Sequence, residues 1–85
     1  MEEPIHVSET LDARGLSCPM PIVKAKLTIN KMQPGEVLQV LCTDRGSLQD
    51  FAGWARSTPG VELLKQETTT DGNQTVYTHY IVKTA

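Results

Sequence analysis

Cys18 stands directly before Pro19-Met20-Pro21, and a thiol set between a turn and two prolines is the group in this chain best placed for covalent chemistry. Proline is accommodated in the first turn of a helix, where its missing N–H would have no intrahelical partner. The two prolines therefore mark the start of a helix at Cys18 and not a break. A thiol at a helix amino terminus faces unpaired N–H groups and the positive end of the macrodipole, and both favour thiolate. Pro19 and Pro21 withdraw two of those donors, but they stiffen the frame and leave the sulfur approachable. Charge works in the same direction. From Ala13 to Gly35 there is no acid, yet Arg14, Lys24, Lys26 and Lys31 all fall there, a favourable field for an anion. The competing reading is a structural thiol, since free cysteine is among the most buried residue types.

Other side chains each carry two readings. Asp12 closes the strand before Cys18 and either holds the turn through nearby backbone or supports the thiol. Arg14 either steadies a thiolate or an incoming anion, or is a solvated charge. Gly15 supplies a backbone conformation that other residues resist. Lys24 and Lys26 guide an acidic partner or simply face water. Val23 and Leu27 are core edge, or, if exposed, an apolar strip beside Cys18 suited to docking. Cys42 alternates inward with Leu38 and Val40, which argues for core; the alternative is a resolving thiol for Cys18. Trp54 lies off the main helical stripe, as a core-edge residue or an interface anchor. His6 and His79 have no ligand spacing, so no metal is expected.

The elements that must position these groups follow from periodicity. Ser8 to Ala13 reads as a strand, and Arg14 to Ser17 as a turn. Ile22, Ala25, Ile29 and Met32 share one helical stripe, with Pro34-Gly35 ending it. Glu36 to Thr43 is a strand with Leu38, Val40 and Cys42 on one face. Ser47 and Asp50 form a weak capping box ahead of a helix that buries Leu48, Phe51, Ala52 and Ala55, stopped at Pro59-Gly60. Val61 to Thr68 and Gln74 to Lys83 make a hairpin around Asp71-Gly72. In the last strand both Val76/Tyr80/Val82 and Tyr77/His79/Ile81 are plausible buried faces. The β-α-β-α-β-β order predicts an α/β (α+β) two-layer sandwich, two helices on one face of a four-stranded mixed sheet. The first two strands are parallel, through a right-handed crossover. Residues 1–7 read as a flexible tail and 8–85 as a single domain.

With 85 residues the chain buries only about 60% of its unfolded surface, so chemistry belongs at the surface and depends on a partner or a simple reagent. Eight basic and ten acidic residues give no basic excess for a nucleic-acid partner. No apolar run is long enough to span a membrane, and the acidic amino terminus lacks the pattern of a signal peptide. Two cysteines cannot build a disulfide framework, which makes reduced thiols in the cytoplasm the expectation.

Leu11-Asp12-Ala13-Arg14-Gly15-Leu16-Ser17-Cys18-Pro19-Met20-Pro21 resembles the L-D-x-x-G-L-x-C-P-x-P signature of the TusA/SirA sulfur-carrier family. The likeness extends through Met32-Gln33-Pro34-Gly35-Glu36, the Thr43-Asp44 turn and the Tyr77 to Lys83 run. Arg45 departs from it, standing where many relatives have proline. The resemblance implies a two-layer sandwich in which Cys18 accepts sulfane sulfur as a persulfide (or a thiosulfonate) and passes it on. It implies sulfur-donor proteins of cysteine desulfurase or rhodanese type and acceptors of DsrE-like type. The relays served are tRNA thiolation, cofactor assembly or sulfur oxidation. No cofactor is needed. Whether such a protein is an enzyme is partly definition, since a carrier is consumed and regenerated in each cycle. Two other classes compete. A thiol redox module would use Cys18 and Cys42, but the chain lacks Cys-x-x-Cys spacing. A non-catalytic RNA- or protein-binding module would need neither thiol.

Overall fold

The Ile22/Ala25/Ile29/Met32 stripe and the Leu38/Val40/Cys42 face need a second layer to cover them, and one sheet with two helices meets that need. The computed structural model describes residues 5–17 and 19–85. Its elements are β1 (Glu9–Ala13), α1 (Met20–Asn30), β2 (Val37–Cys42), α2 (Ser47–Ser57), β3 (Val61–Asp71) and β4 (Gln74–Lys83). The sheet order is β1-β2-β4-β3. β1 runs parallel to β2, with Leu11 opposite Val40 and Ala13 opposite Cys42. β4 is antiparallel to both its neighbours. Residues 5–7 have no regular secondary structure, and residues 1–4 of the expected tail lie outside the described residues.

The core cluster joins Ala25, Ile29 and Met32 of α1 and Phe51 of α2 to Ala13, Leu38, Val40, Cys42 and Ile81 of the sheet. Leu38 pairs with Ile81, Val40 with His79 and Cys42 with Tyr77, so these side chains lie on one face and both helices cover it. That settles the last strand. Tyr77, His79 and Ile81 point to the helices, while Val76 and Thr78, also buried, point away from them by alternation.

Several local expectations need correction. The helix expected from Cys18 runs from Met20, with Pro19 at its N-cap and Pro21 in its first turn. The capping box is absent: α2 has Gly46 at its N-cap and no side-chain cap, because the Ser47 hydroxyl lies 3.0 Å from His79 Nε2 in the core. Only Phe51 of the expected apolar stripe is fully buried, with Leu48, Ala52 and Ala55 half-buried. Trp54 packs against the core and meets Phe51 edge to face at 5.9 Å. β3 continues past Thr68 to Asp71, so Thr69, Thr70 and Asp71 pair with Val76, Thr75 and Gln74. The connecting Gly72 has φ +64°, at the first central position of a two-residue loop, where a II′ turn requires it.

On the face away from the helices, a hydrogen-bond chain crosses all four strands in spatial order. Thr10 donates to Gln39 Oε1 at 3.1 Å, Gln39 Nε2 donates to the Tyr80 hydroxyl at 3.1 Å, and that hydroxyl donates to Glu67 at 2.9 Å. The polar members of this face are thus tied to one another across the strands.

Candidate functional site

Parallel pairing of β1 and β2 sends both carboxyl ends to one sheet edge, and Asp12, Arg14 and Gly15 stand at that edge. Asp12 and Arg14, at the end of β1, are bound to each other. The guanidinium donates to both carboxylate oxygens at 2.8 and 2.9 Å, and the Arg14 amide donates to Oδ1 at 3.1 Å. The side-chain bonds from Arg14, reinforced by its backbone N–H, hold the Asp12 carboxyl down at about 2, and Asp12 in turn raises Arg14. Both side chains are exposed. Arg14 is therefore one half of a forked ion pair that shapes the turn. Gly15 follows at φ +85°, and its amide donates to Thr43 Oγ1 at 2.9 Å.

Cys18, the expected sulfur-bearing residue, lies outside the described residues. Its neighbours Ser17 and Pro19 are exposed. The Ser17 carbonyl accepts the Met20 N–H at 3.0 Å, and the Pro19 carbonyl accepts that of Val23 at 3.1 Å. Because Pro19 and Pro21 have no N–H, Ile22 is the other donor in that first turn, which contains no acid.

Along α1, Met20, Val23 and Leu27 are 43, 40 and 59% exposed. Their i, i+3, i+7 spacing puts them on one stripe opposite the buried Pro21, Ala25 and Ile29. The core-edge reading of Val23 and Leu27 is thereby corrected: α1 carries an apolar stripe on its solvent side as well as on its core side. Lys24 and Lys26 flank it and are exposed. Met20 was not singled out from sequence, although its position three residues before Val23 was the available signal.

Cys42 is fully buried. Burial pushes its thiol up to about 11, partly offset by a hydrogen bond from Ser47, with the Asp44 charge adding to the rise. A protonated thiol in the core is a poor nucleophile, so the structure speaks for the packing role and against a resolving thiol. Behind it lies a network that periodicity could not reveal. Gln66 Nε2 donates to the Leu48 carbonyl at 2.9 Å and lies 3.1 Å from His79 Nδ1, while His79 Nε2 lies 3.0 Å from Ser47 Oγ. Because the Gln66 amide N can only donate, Nδ1 accepts and Nε2 carries the proton. A Ser–His pair in that tautomer has no base facing the hydroxyl. With Ser47 at 2% and His79 at 0% exposure, no substrate reaches it, and its role is structural. Among the described residues, no three His, Cys, Asp or Glu side chains converge as a metal site, and no helix is long and apolar enough to cross a membrane.

A model of the family described as Sulfurtransferase TusA matches residues 9–83. A putative sulfur carrier protein of Halobacterium salinarum is 50% identical over 84 residues, 99% of either chain. The sulfur carrier protein TusA of Allochromatium vinosum is 49% identical over 59 residues, 69% of this chain and 76% of the relative. The crystal structure of a SirA-like protein from Desulfitobacterium hafniense superposes with a TM-score of 0.66 at 27% identity, covering 91% of this chain and 99% of the other.

Proposed function

The chain belongs to the TusA family of sulfur carriers, and from that premise we propose that Cys18 is the residue on which sulfur is carried, as a persulfide. The observation that supports this most is that Pro19, Met20 and Pro21 open α1 and that Ser17 and Pro19, the sequence neighbours of Cys18, are exposed in a stretch with no acid. The Cys18 thiolate attacks the outer sulfur of a donor persulfide. A Cys18–S–S bond forms as the donor's own S–S bond breaks, and the donor leaves as a thiolate. An acceptor thiol reverses the exchange, so no external oxidant or reductant is consumed.

The donors in this reading are proteins of cysteine desulfurase or rhodanese type, and the acceptors are DsrE-like. Val23 and Leu27, with Lys24 and Lys26 beside them, form the surface that receives these partners, and the exposed apolar stripe on α1 supports that assignment. Asp12, Arg14 and Gly15 shape the approach to Cys18, and Pro19 and Pro21 stiffen it. A reducing cytoplasm suits a carrier thiol.

The test is intact-mass spectrometry after incubation with a rhodanese loaded from thiosulfate, with and without dithiothreitol, on the native protein and on Cys18→Ser. The expected result is a reducible adduct of one sulfur atom on Cys18, lost in the variant. A Cys18–Cys42 disulfide in place of the adduct would move the case to redox chemistry. No adduct from any donor would favour a binding module.

A further inference from the structure

The carboxyl-terminal half of α1, the end of α2, the start of β3 and the end of β4 enclose a groove of about 390 Å³, within the size range of small-molecule sites. Its walls divide by chemistry. Ile29, Trp54 and Val61 are apolar, Lys26, Asn30 and Lys83 bring hydrogen-bond donors, and no Asp or Glu side chain lines it. Met20, Val23 and Leu27 take no part, so the groove is distinct from the exposed stripe of α1.

Trp54 adds a second, independent observation. Its Nε1–H is buried without an acceptor, alone among the buried side-chain polar atoms of the described residues. Buried donors are almost always paired, and one left unpaired forfeits its hydration. The indole is held in place against the core and the edge of Phe51, so this N–H is not free to turn toward water.

Electrostatics selects the charge of a ligand. The carboxyl end of α1 is a negative pole that would repel an anion. Just beyond it Lys83 Nζ donates to the Met32 carbonyl at 2.8 Å, which offsets that pole and leaves two ammonium protons for a ligand. Arg56 stands in the last turn of α2 and acts on that pole in the same sense. With part of the Lys83 charge already engaged, the groove suits a single negative charge better than a phosphate.

We propose that this groove binds a small organic carboxylate. Its apolar, ring-sized body packs on Ile29, Trp54 and Val61, its charge is held by Lys26 and Lys83, and an oxygen accepts from Trp54 Nε1. Because Nε1 is shielded by its neighbours, the oxygen reaches it through a rotamer change in the groove wall, a common accommodation on binding. The site stands apart from the sulfur-bearing assignment, and neither depends on the other.

The test titrates the full chain with 1-naphthylacetate, with its neutral analogue 1-naphthylacetamide, and with inorganic sulfate. NMR follows the indole N–H of the single tryptophan, and calorimetry gives the affinities. The carboxylate should move the indole proton downfield and saturate with a dissociation constant of about 1 mM or tighter. The amide should bind at least about fivefold more weakly, and sulfate, lacking the apolar body, more weakly still. Lys26→Gln should weaken carboxylate binding about threefold, and Trp54→Phe, which removes the N–H and keeps an aromatic ring, about tenfold. No saturable shift up to about 10 mM, equal affinity for carboxylate and amide, sulfate binding as tight as the carboxylate, or native affinity in Lys26→Gln would each overturn the proposal. Should Trp54→Phe fail to fold, the amide and Lys26→Gln still decide the matter.

Discussion

Gly15 has open space where a side chain would stand, with nothing within 4 Å of an added Cβ, but its φ is +85°. Its requirement is conformational and not steric. Gly15→Ala should therefore cost about 1–2 kcal/mol of stability through the left-handed backbone alone, measured by urea unfolding, and a variant as stable as the native protein would contradict the turn geometry. Cys42 makes the opposite case, a reactive residue type in an inert place. Fully buried, and with its thiol pushed up to about 11, it is a poor nucleophile at neutral pH. Cys42→Ser should leave both the yield and the lifetime of the Cys18 adduct unchanged in the mass assay, at a stability cost of about 1–3 kcal/mol for the altered buried group. A longer-lived adduct would restore the resolving role. At this scale the sequence was ambiguous for a physical reason: a lone side chain's partner is set by the fold. Asp12 had a turn-holding reading, which its bond from the Arg14 N–H fits, and Arg14 a solvated one, but neither contained the side-chain fork between them. Ser47 looked like a cap because its hydroxyl's real partner, His79, is 32 positions away.

The elements were far more legible, because their periodicity is local. The Pro19/Pro21 start of α1, the Leu38/Val40/Cys42 face of β2 and the Gly72 hairpin all lie near where pattern and turn chemistry put them. What pattern could not decide was a helix with apolar residues all round. Ile22, Ala25 and Ile29 define a core stripe, and Val23 and Leu27 widen it on paper; only the packing of α1 on β1 and β2 shows that the second stripe faces water. The consequence is separable from stability. Leu27 is 59% exposed, so Leu27→Glu should change the unfolding free energy by no more than about 0.5 kcal/mol. If the stripe receives partners, a charge at its most exposed member should raise the half-saturating partner concentration for sulfur transfer about tenfold or more. Unaltered transfer to every donor and acceptor would remove α1 from the partner surface.

For the molecule as a whole, the network beneath α2 makes stability depend on pH in a definite window. His79 has no exposed surface, stacks on Phe51 with ring centroids 4.3 Å apart, and donates through Nε2 while accepting at Nδ1. Protonation would put a second donor against the Gln66 amide and a charge in the core, and burial accordingly lowers its pKa from 6.5 to about 4. The unfolded chain therefore takes up a proton below pH 6.5 that the folded chain refuses until about pH 4. Stability is full above 6.5 and is lost as pH falls through that interval, at up to about 1.4 kcal/mol per pH unit and about 3 kcal/mol in all. Set against the 5–15 kcal/mol roughly typical of a domain, that is a large share. The carboxylates act elsewhere: Asp12 is lowered from 3.8 to about 2 and Glu67 is lowered from 4.5, so their contributions survive through most of the His79 window and fail below it. Urea unfolding between pH 7 and 4.5 should show the slope in the native protein and its loss in His79→Gln, whatever that variant's absolute stability. An equal slope in both would mean that another group carries the acid sensitivity and that His79 does not titrate with unfolding.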